Sequence, residues 1–184
     1  MNKKWALFFS GRGTNLEAIL KKYSTSWKSP PILVTNNPKS LGIEIGKKFN
    51  LEIHILEKPI NYLNLHEILK NQNVDRIFLL GFLKIIPASF LSEWHNRIFN
   101  LHPSLLPLYP GLKSIDRAYE DKSAIGVTIH KVTEGIDQGE ILLQKQVFKM
   151  NGFDHLSLEE VKSMVHSIEH QLVCDFVSLA EIDS

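Results

Sequence analysis

The chain of 184 residues is long enough for one domain with a sizeable core, and we expect residues 1–184 to form a single domain. Its formal net charge of +1 gives no strong field for nucleic acid or a membrane surface, so we expect neither as a partner. The one cysteine, Cys174, excludes an internal disulfide, and no Cys/His cluster has zinc spacing, so we expect no metal.

The sequence carries no sign of export or membrane insertion. Its first residues contain neither the apolar run nor the small-residue cleavage site of a signal peptide. No stretch reaches the roughly 18 to 20 apolar residues of a membrane span. We therefore expect a cytoplasmic protein. The sequence leaves its oligomeric state open between a monomer and a homodimer.

Short apolar runs alternate with helical patterns along the chain. Strands are predicted at 5–9, 31–34, 52–56, 76–80, 97–101, 126–132 and 140–147. Helices are predicted after the glycine loop at 10–15, at 41–49, 61–71, 87–95 and 115–121, and after Ser157. This order is typical of βαβ units, and it predicts an α/β fold: one doubly wound, mostly parallel sheet with helices on both faces. The last two strands are candidates for an antiparallel extension of that sheet.

The last helix has the clearest start signal. Ser157 stands at the N-cap position and Glu160 follows three residues later, which is the spacing of a capping box. Cys174 is predicted to be a small buried side chain on the apolar side of this helix. The residues expected to form its buried face are Val161, Val165, Ile168, Leu172, Phe176 and Leu179.

The glycine loop at 10–15 joins the first strand to the first helix. Glycines such as Gly13 let the backbone approach a ligand, and the free N–H groups at a helix start favour a phosphate. Thr14 and Asn15 add side-chain donors. The loop is not the dinucleotide fingerprint, because Leu16 stands where a third glycine is expected, and it is not a P-loop. A phosphate site and an ordinary turn with good capping residues both remain open.

Asn100, His102 and Asp137 are candidates for catalysis. Asn100 and His102 stand two residues apart at the carboxyl end of a strand, where open α/β sheets bind ligands. Asp137 lies in a short loop between two glycines. A carboxylate near His102 would hold the ring and favour its charged form, and the imidazolium and the Asn100 amide would then donate to an oxyanion. Asp137 could also accept the proton that an attacking amine loses.

Ordinary structural roles fit the same three residues. Asn100 could cap a turn, His102 could be a satisfied histidine at a strand end, and Asp137 could form an Asx-turn. Spacing alone does not establish that Asp137 meets His102.

Three segments in order resemble the 10-formyltetrahydrofolate-dependent formyltransferases, and among them the glycinamide ribonucleotide transformylases. These are Ser-Gly-Arg-Gly-Thr-Asn-Leu at 10–16, Asn-Leu-His-Pro-Ser-Leu-Leu-Pro-Leu-Tyr-Pro-Gly at 100–111, and Thr-Glu-Gly-Ile-Asp at 133–137. The resemblance runs from about residue 5 to 172 and implies that Asn100, His102 and Asp137 are the catalytic trio. The substrate residues that it implies are Gly13, Thr14 and Asn15 for the phosphate, and Glu169 for the ribose or glycinamide part.

The resemblance also implies two small-molecule substrates, with 10-formyltetrahydrofolate as the formyl donor. Two segments would bind the folate from opposite sides, and His130 matches a family histidine near the site. The residues of these two segments are Leu83, Lys84, Ile85, Ile86, Thr133, Glu134, Gly135 and Ile136.

Several positions depart from the family pattern. Lys84 replaces the usual arginine, and Lys58 is the candidate to stand in for an arginine expected near the folate tail. Lys113, Ile115 and Ile125 stand where the family often has histidines. These departures keep a second formyltransferase hypothesis open, with an amino-sugar nucleotide as acceptor. A hypothesis from another class is a nonenzymatic folate- or nucleotide-binding module, which would have no use for the trio.

Overall fold

A single mixed sheet of seven strands organises the protein in the computed structural model, which describes residues 1–181. The strands are β1 Trp5–Phe9, β2 Ile32–Thr35, β3 Ile53–Ile55, β4 Arg76–Leu79, β5 Ile98–His102, β6 Ile125–Lys131 and β7 Ile141–Phe148. The helices are α1 Thr14–Tyr23, α2 Gly42–Lys48, α3 Tyr62–Asn71, α4 Ala88–Glu93, α5 Ser114–Glu120 and α6 Leu158–Leu179.

The strand order is β3-β2-β1-β4-β5-β6-β7. Strands β1 to β5 are parallel, while β5 pairs with β6, and β6 with β7, in antiparallel fashion. The predicted doubly wound fold with an antiparallel extension is therefore confirmed. The chain leaves β1 toward β2 on one side, and later adds β4 on the other side. This reversal opens a crevice at the carboxyl ends of β1 and β4, the usual ligand position in such sheets.

Helices cover both faces of the sheet because the buried strands alternate their side chains between two apolar layers. Trp5, Leu7 and Phe9 of β1 join the layer under α1, α2, α5 and α6. Ala6 and Phe8 join the layer under α3 and α4. Strands buried on both faces read as continuous apolar runs, which is why β1 was recognisable from sequence.

The predicted boundaries differ from the observed ones by one or two residues at most strands. Strand β2, for example, includes Thr35, which pairs with Phe9 of β1. It begins after Pro31, because proline has no N–H to donate to the ladder. Strand β5 likewise extends to His102, so the histidine belongs to the strand itself.

Helix α6 closes one side of the molecule. Its capping box is confirmed, because the Ser157 N–H donates to Glu160 Oε2 at 2.8 Å and the Glu160 N–H donates to Ser157 Oγ at 3.4 Å. Cys174 is buried as predicted. The prediction for Leu179 is wrong: the buried stripe continues from Phe176 to Ala180, and Leu179 is exposed. Within residues 1–181 no helix has both the length and the apolar character needed to cross a membrane.

Candidate active site

A cleft of about 770 Å³ opens where β1, β4 and β5 end. The glycine loop and the α1 N-terminus form one side of it, and the segment after β4 forms another. The loop after β6 lies across from them, and α6 contributes two polar side chains. The predicted trio, the predicted substrate residues and both predicted folate segments line this cleft.

The glycine loop is held in one shape by hydrogen bonds and by close packing. Gly13 is the N-cap of α1 in the left-handed region, with φ 76°, and a Cβ there would lie 2.8 Å from the Gly42 Cα. Ser10 joins the loop to the neighbouring segment, because its Oγ accepts from the Leu83 N–H at 3.0 Å. No side chain among the described residues caps the N-terminus of α1, so the first N–H groups of this helix lack a side-chain acceptor. This end of the helix lines the cleft. An anion fits such an uncapped helix start.

A buried carboxylate lies beside this helix start. Glu169 of α6 is only 4% exposed, so it is not the solvated helix carboxylate that its position would ordinarily suggest. Its Oε2 accepts from Asn15 Nδ2 at 3.0 Å and lies 2.7 Å from His166 Nδ1. The other end of the Asn15 carboxamide, Oδ1, is buried and has no hydrogen-bond partner in the described part of the chain. That atom is an acceptor available to a donor on a ligand.

Asn100, His102 and Asp137 come together as predicted, although the sequence could not establish that they meet. His102 Nδ1 lies 3.3 Å from Asp137 Oδ2, and Asn100 Nδ2 donates to Asp137 Oδ1 at 3.3 Å. The Gly111 N–H donates to Asp137 Oδ2 at 2.7 Å. Asp137 adopts the left-handed backbone region, with φ 53°. The carboxylate is therefore held by β5 and by the loop that contains Gly111.

His102 and His130 are each anchored by a backbone carbonyl. His102 Nε2 lies 2.9 Å from the Tyr109 carbonyl oxygen, and His130 Nδ1 lies 2.8 Å from that of Lys131. A carbonyl oxygen can only accept, so each of these ring nitrogens carries its proton. His130 is buried beside the trio, with Nε2 at 3.2 Å from Asn100 Nδ2. It is thus not an ordinary surface histidine of a strand.

The pKa values of His102 and Asp137 are both lowered in this site. Burial lowers the pKa of His102. The Tyr109 carbonyl and the Asp137 carboxylate raise it again, but not to its usual value. The net direction of the pKa shift of His102 is downward, whereas a nearby carboxylate alone favours the charged form. Burial raises the pKa of Asp137, but its contact with His130, the hydrogen bond from the Gly111 N–H and the positive charges that the two histidines carry when protonated lower it to about 2. A carboxylate this acidic is a poor acceptor for the proton of an attacking amine.

The segments at 83–86 and 133–136 form two facing walls of the cleft. Leu83 and Ile85 are 66% and 76% exposed, and Ile136 across the cleft is 57% exposed, so apolar side chains stand on both sides. Ile86 is buried beneath the first wall. Exposed aliphatic groups that face one another favour a flat apolar ligand. Within residues 1–181 no group of three or more His, Cys, Asp or Glu side chains is arranged to hold a metal ion.

Comparison with known proteins identifies the family of this chain. A family model described as formyl transferase matches residues 3–177. The chain belongs to the formyl transferase family. The resemblance read from the three sequence segments is therefore confirmed.

Relatives of similar length share this formyl transferase fold throughout. Phosphoribosylglycinamide formyltransferase of Bacillus subtilis is 33% identical over 179 residues, which cover 92% of this chain and 90% of the relative. The crystal structure of phosphoribosylglycinamide formyltransferase from Anaplasma phagocytophilum is 30% identical, with a TM-score of 0.91 over 100% of this chain and 88% of the other. The corresponding Campylobacter jejuni structure is 34% identical, with a TM-score of 0.85 over 100% and 99% of the two chains.

The positions at which this formyl transferase departs from the family pattern lie in different environments. Ile125 is fully buried at the start of β6, and Ile115 packs against the core. Neither residue lines the cleft, so neither can contact a substrate directly. Lys113 does line the cleft, at a left-handed position with φ 55°. Lys84 also lines it, whereas Lys58 is exposed outside it.

Two contacts in the cleft of this formyl transferase were missed from the sequence. The Tyr109 carbonyl that anchors His102 is a backbone group, which no residue type reveals. His166 lines the cleft and contacts both Glu169 and Thr14, with Nε2 at 3.5 Å from Thr14 Oγ1. Its spacing of three residues from Glu169 on a helix was the available signal, since such residues share a face.

Proposed function

We propose that this chain transfers the formyl group of 10-formyltetrahydrofolate to the amine of glycinamide ribonucleotide in purine biosynthesis. The observation that carries the proposal is the meeting of Asn100, His102 and Asp137 in a cleft that also holds an uncapped helix start. The names of the similar proteins support this choice of acceptor. The proposed chemistry uses these side chains, without a metal and without a covalent enzyme intermediate.

His102 moves the proton in the proposed reaction. Because Nε2 keeps its proton on the Tyr109 carbonyl, Nδ1 is the nitrogen that can take up and release a proton. The acceptor amine attacks the formyl carbon, a C–N bond forms, and the amine proton passes to Nδ1. The imidazolium is then stabilised by Asp137 at 3.3 Å. When the bond from the formyl carbon to folate N10 breaks, His102 returns the proton to N10.

Asn100 stabilises the oxyanion of the tetrahedral adduct. Its Nδ2 donates to Asp137 and to His130 over 3.3 and 3.2 Å, which are long for such bonds. An oxyanion is a stronger acceptor than either partner, so the amide turns toward it as the charge develops. Removal of one such donor typically costs about 3 to 4 kcal/mol of transition-state stabilisation.

The two substrates occupy different parts of the cleft in this proposal. The phosphate of the acceptor binds the start of α1 at Gly13, Thr14 and Asn15, and Glu169 with the free Asn15 Oδ1 binds its hydroxyl or amide groups. The folate lies between the walls at 83–86 and 133–136, where apolar side chains contact its ring from both sides. This arrangement brings the amine and the formyl group together beside His102.

The identity of the acceptor is tested by offering each candidate acceptor separately. Purified protein and 10-formyltetrahydrofolate are incubated with glycinamide ribonucleotide, and separately with an amino-sugar nucleotide, and the formylated products are measured. We expect turnover with the ribonucleotide only. Turnover with the amino-sugar nucleotide alone would establish the second acceptor, and Lys113, which lines the cleft, would then be the first residue to vary. Binding of folate without turnover of either acceptor would support the third hypothesis, a nonenzymatic binding module.

A further inference from the structure

We propose that Arg117 in α5 and Asp121 at the end of this helix are positioning residues for catalysis. From outside the cleft, these two side chains hold the backbone at 109–111, and that backbone orients His102 and Asp137. The inference deepens the proposed function and rests on it, since it concerns the proton transfer that we assign to His102. Neither positioning residue lines the cleft, so neither contacts a substrate directly.

One peptide group joins Arg117 to the trio. Its carbonyl, from Pro110, accepts a hydrogen bond from Arg117 Nη2. Its N–H, from Gly111, donates to Asp137 Oδ2 at 2.7 Å. The C=O and N–H of a trans peptide point in opposite directions within one rigid plane, so the guanidinium fixes the direction of the Gly111 N–H. A positive charge on the carbonyl also polarises the peptide group and makes its N–H a stronger donor.

Tyr109 joins the same two side chains to His102. Its carbonyl oxygen lies 2.9 Å from His102 Nε2, and its backbone is in the left-handed region, with φ 53°. A residue other than glycine stays in that region only where surrounding contacts determine its conformation. The Tyr109 hydroxyl donates to Asp121 Oδ2 at 2.9 Å, and the Arg117 guanidinium lies 5.6 Å from the centre of the ring. We therefore expect the loss of either contact to let the backbone relax and to move the carbonyl away from Nε2.

The groups around His102 determine the sign of a pH test. Burial lowers the pKa of His102, and so do the charges of Arg117 and of a protonated His130, whereas the Tyr109 carbonyl and the carboxylate of the trio raise it. Asp121→Ala weakens the carbonyl contact and leaves the guanidinium in place, so it should lower the pKa of His102. Because the neutral ring is the base, the acid limb of kcat should then move to lower pH.

The first test measures kcat and both KM values for formyl transfer to glycinamide ribonucleotide from pH 5 to pH 8. We expect kcat to fall about tenfold in Arg117→Met, the size of one hydrogen bond lost from a charged group, and at least about threefold in Asp121→Ala. Both KM values should stay unchanged, since neither side chain contacts a substrate. A purely structural role would lower the amount of folded enzyme without moving the acid limb of kcat.

The chain offers a matched control for each variant. Arg97 makes the same two kinds of contact away from the cleft: Nη2 donates to the Glu93 carbonyl at 2.7 Å, and the guanidinium lies 4.6 Å from the Trp94 ring centre. Asp154 is an exposed carboxylate that pairs with Lys122, also away from the cleft. Arg97→Met and Asp154→Ala should therefore keep the wild-type kcat and its pH profile.

A second test needs no substrate. The Nε2–H proton of His102 is followed by NMR, because a ring proton held on a carbonyl exchanges slowly with water. The Nδ1–H proton of His130, held on the Lys131 carbonyl at 2.8 Å, is the internal reference. We expect the His102 proton to exchange at least about tenfold faster in Arg117→Met and Asp121→Ala than in the controls, with the reference unchanged.

The two tests separate this inference from the proposed function. Faster exchange of the His102 proton supports the positioning role even if neither acceptor is formylated, in which case only the proposed function fails. Unchanged exchange of that proton in both folded variants overturns the inference. In an active enzyme, kcat values of both variants within about twofold of their controls also overturn it.

Discussion

Asp137→Asn removes the charge beside His102 and keeps nearly the same side-chain size. His102 Nδ1, which carries the proton in the proposed transition state, lies 3.3 Å from the Asp137 carboxylate, and both side chains are largely buried. At an effective dielectric of about 20, two charges at that distance attract by about 5 kcal/mol. If half or more of this energy is present in the transition state, kcat falls by at least about 10²-fold.

The assay is the initial rate of formyl transfer at saturating substrates, measured from pH 5 to pH 8. Since the Asp137 carboxylate raises the pKa of His102, its removal should also move the acid limb of kcat to lower pH. Asp154→Asn is the matched control, because Asp154 is exposed and pairs with Lys122 away from the cleft. A folded Asp137→Asn variant with kcat within about threefold of the control would refute the role of the carboxylate.

Three further predictions concern stability and the glycine loop. The pKa of Asp137 falls from 3.8 to about 2 on folding, so its carboxylate contributes about 2 kcal/mol to the free energy of unfolding above pH 4. This contribution is lost as pH falls toward 2, and the free energy of unfolding of Asp137→Asn, measured over the same acid range, should not show that loss. Gly13→Ala forces a Cβ against Gly42 at positive φ, so urea unfolding should show a loss of about 1–3 kcal/mol, and an unchanged midpoint would contradict the packing. Ser157→Ala removes the α6 cap and should cost about 1 kcal/mol with kcat unchanged, whereas a loss of activity without a loss of stability would contradict a purely structural role.

Much of the fold could be predicted from sequence because its signals are local. The alternation of apolar runs with helical patterns identifies the βαβ units, and the capping box at Ser157 marks the start of α6. Strand ends were less certain, since one residue such as Thr35 joins a strand only through its neighbour in the sheet. Leu179 was assigned to the buried face because the sequence pattern does not reveal which of the last apolar residues of α6 continue its buried face.

The candidate site was predictable in its residues and less so in its chemistry. Asn100 and His102 are close in sequence, but the approach of Asp137 depends on the β5–β6 pairing, which spacing cannot determine. The lowered pKa of His102 depends on its burial, a property of the whole fold. The contact between His166 and Thr14 depends on the packing of α6 against α1, two helices that are distant in sequence.

The central claim is that one-carbon transfer takes place beside His102. It is tested most directly by incubating the purified chain with 10-formyltetrahydrofolate labelled in the formyl carbon, together with glycinamide ribonucleotide, and by locating the label. The account predicts that the labelled carbon appears on the acceptor amine with the wild type, and at least about 10²-fold more slowly with Asp137→Asn. A folded wild-type protein that binds both substrates and leaves the label on the folate would contradict it.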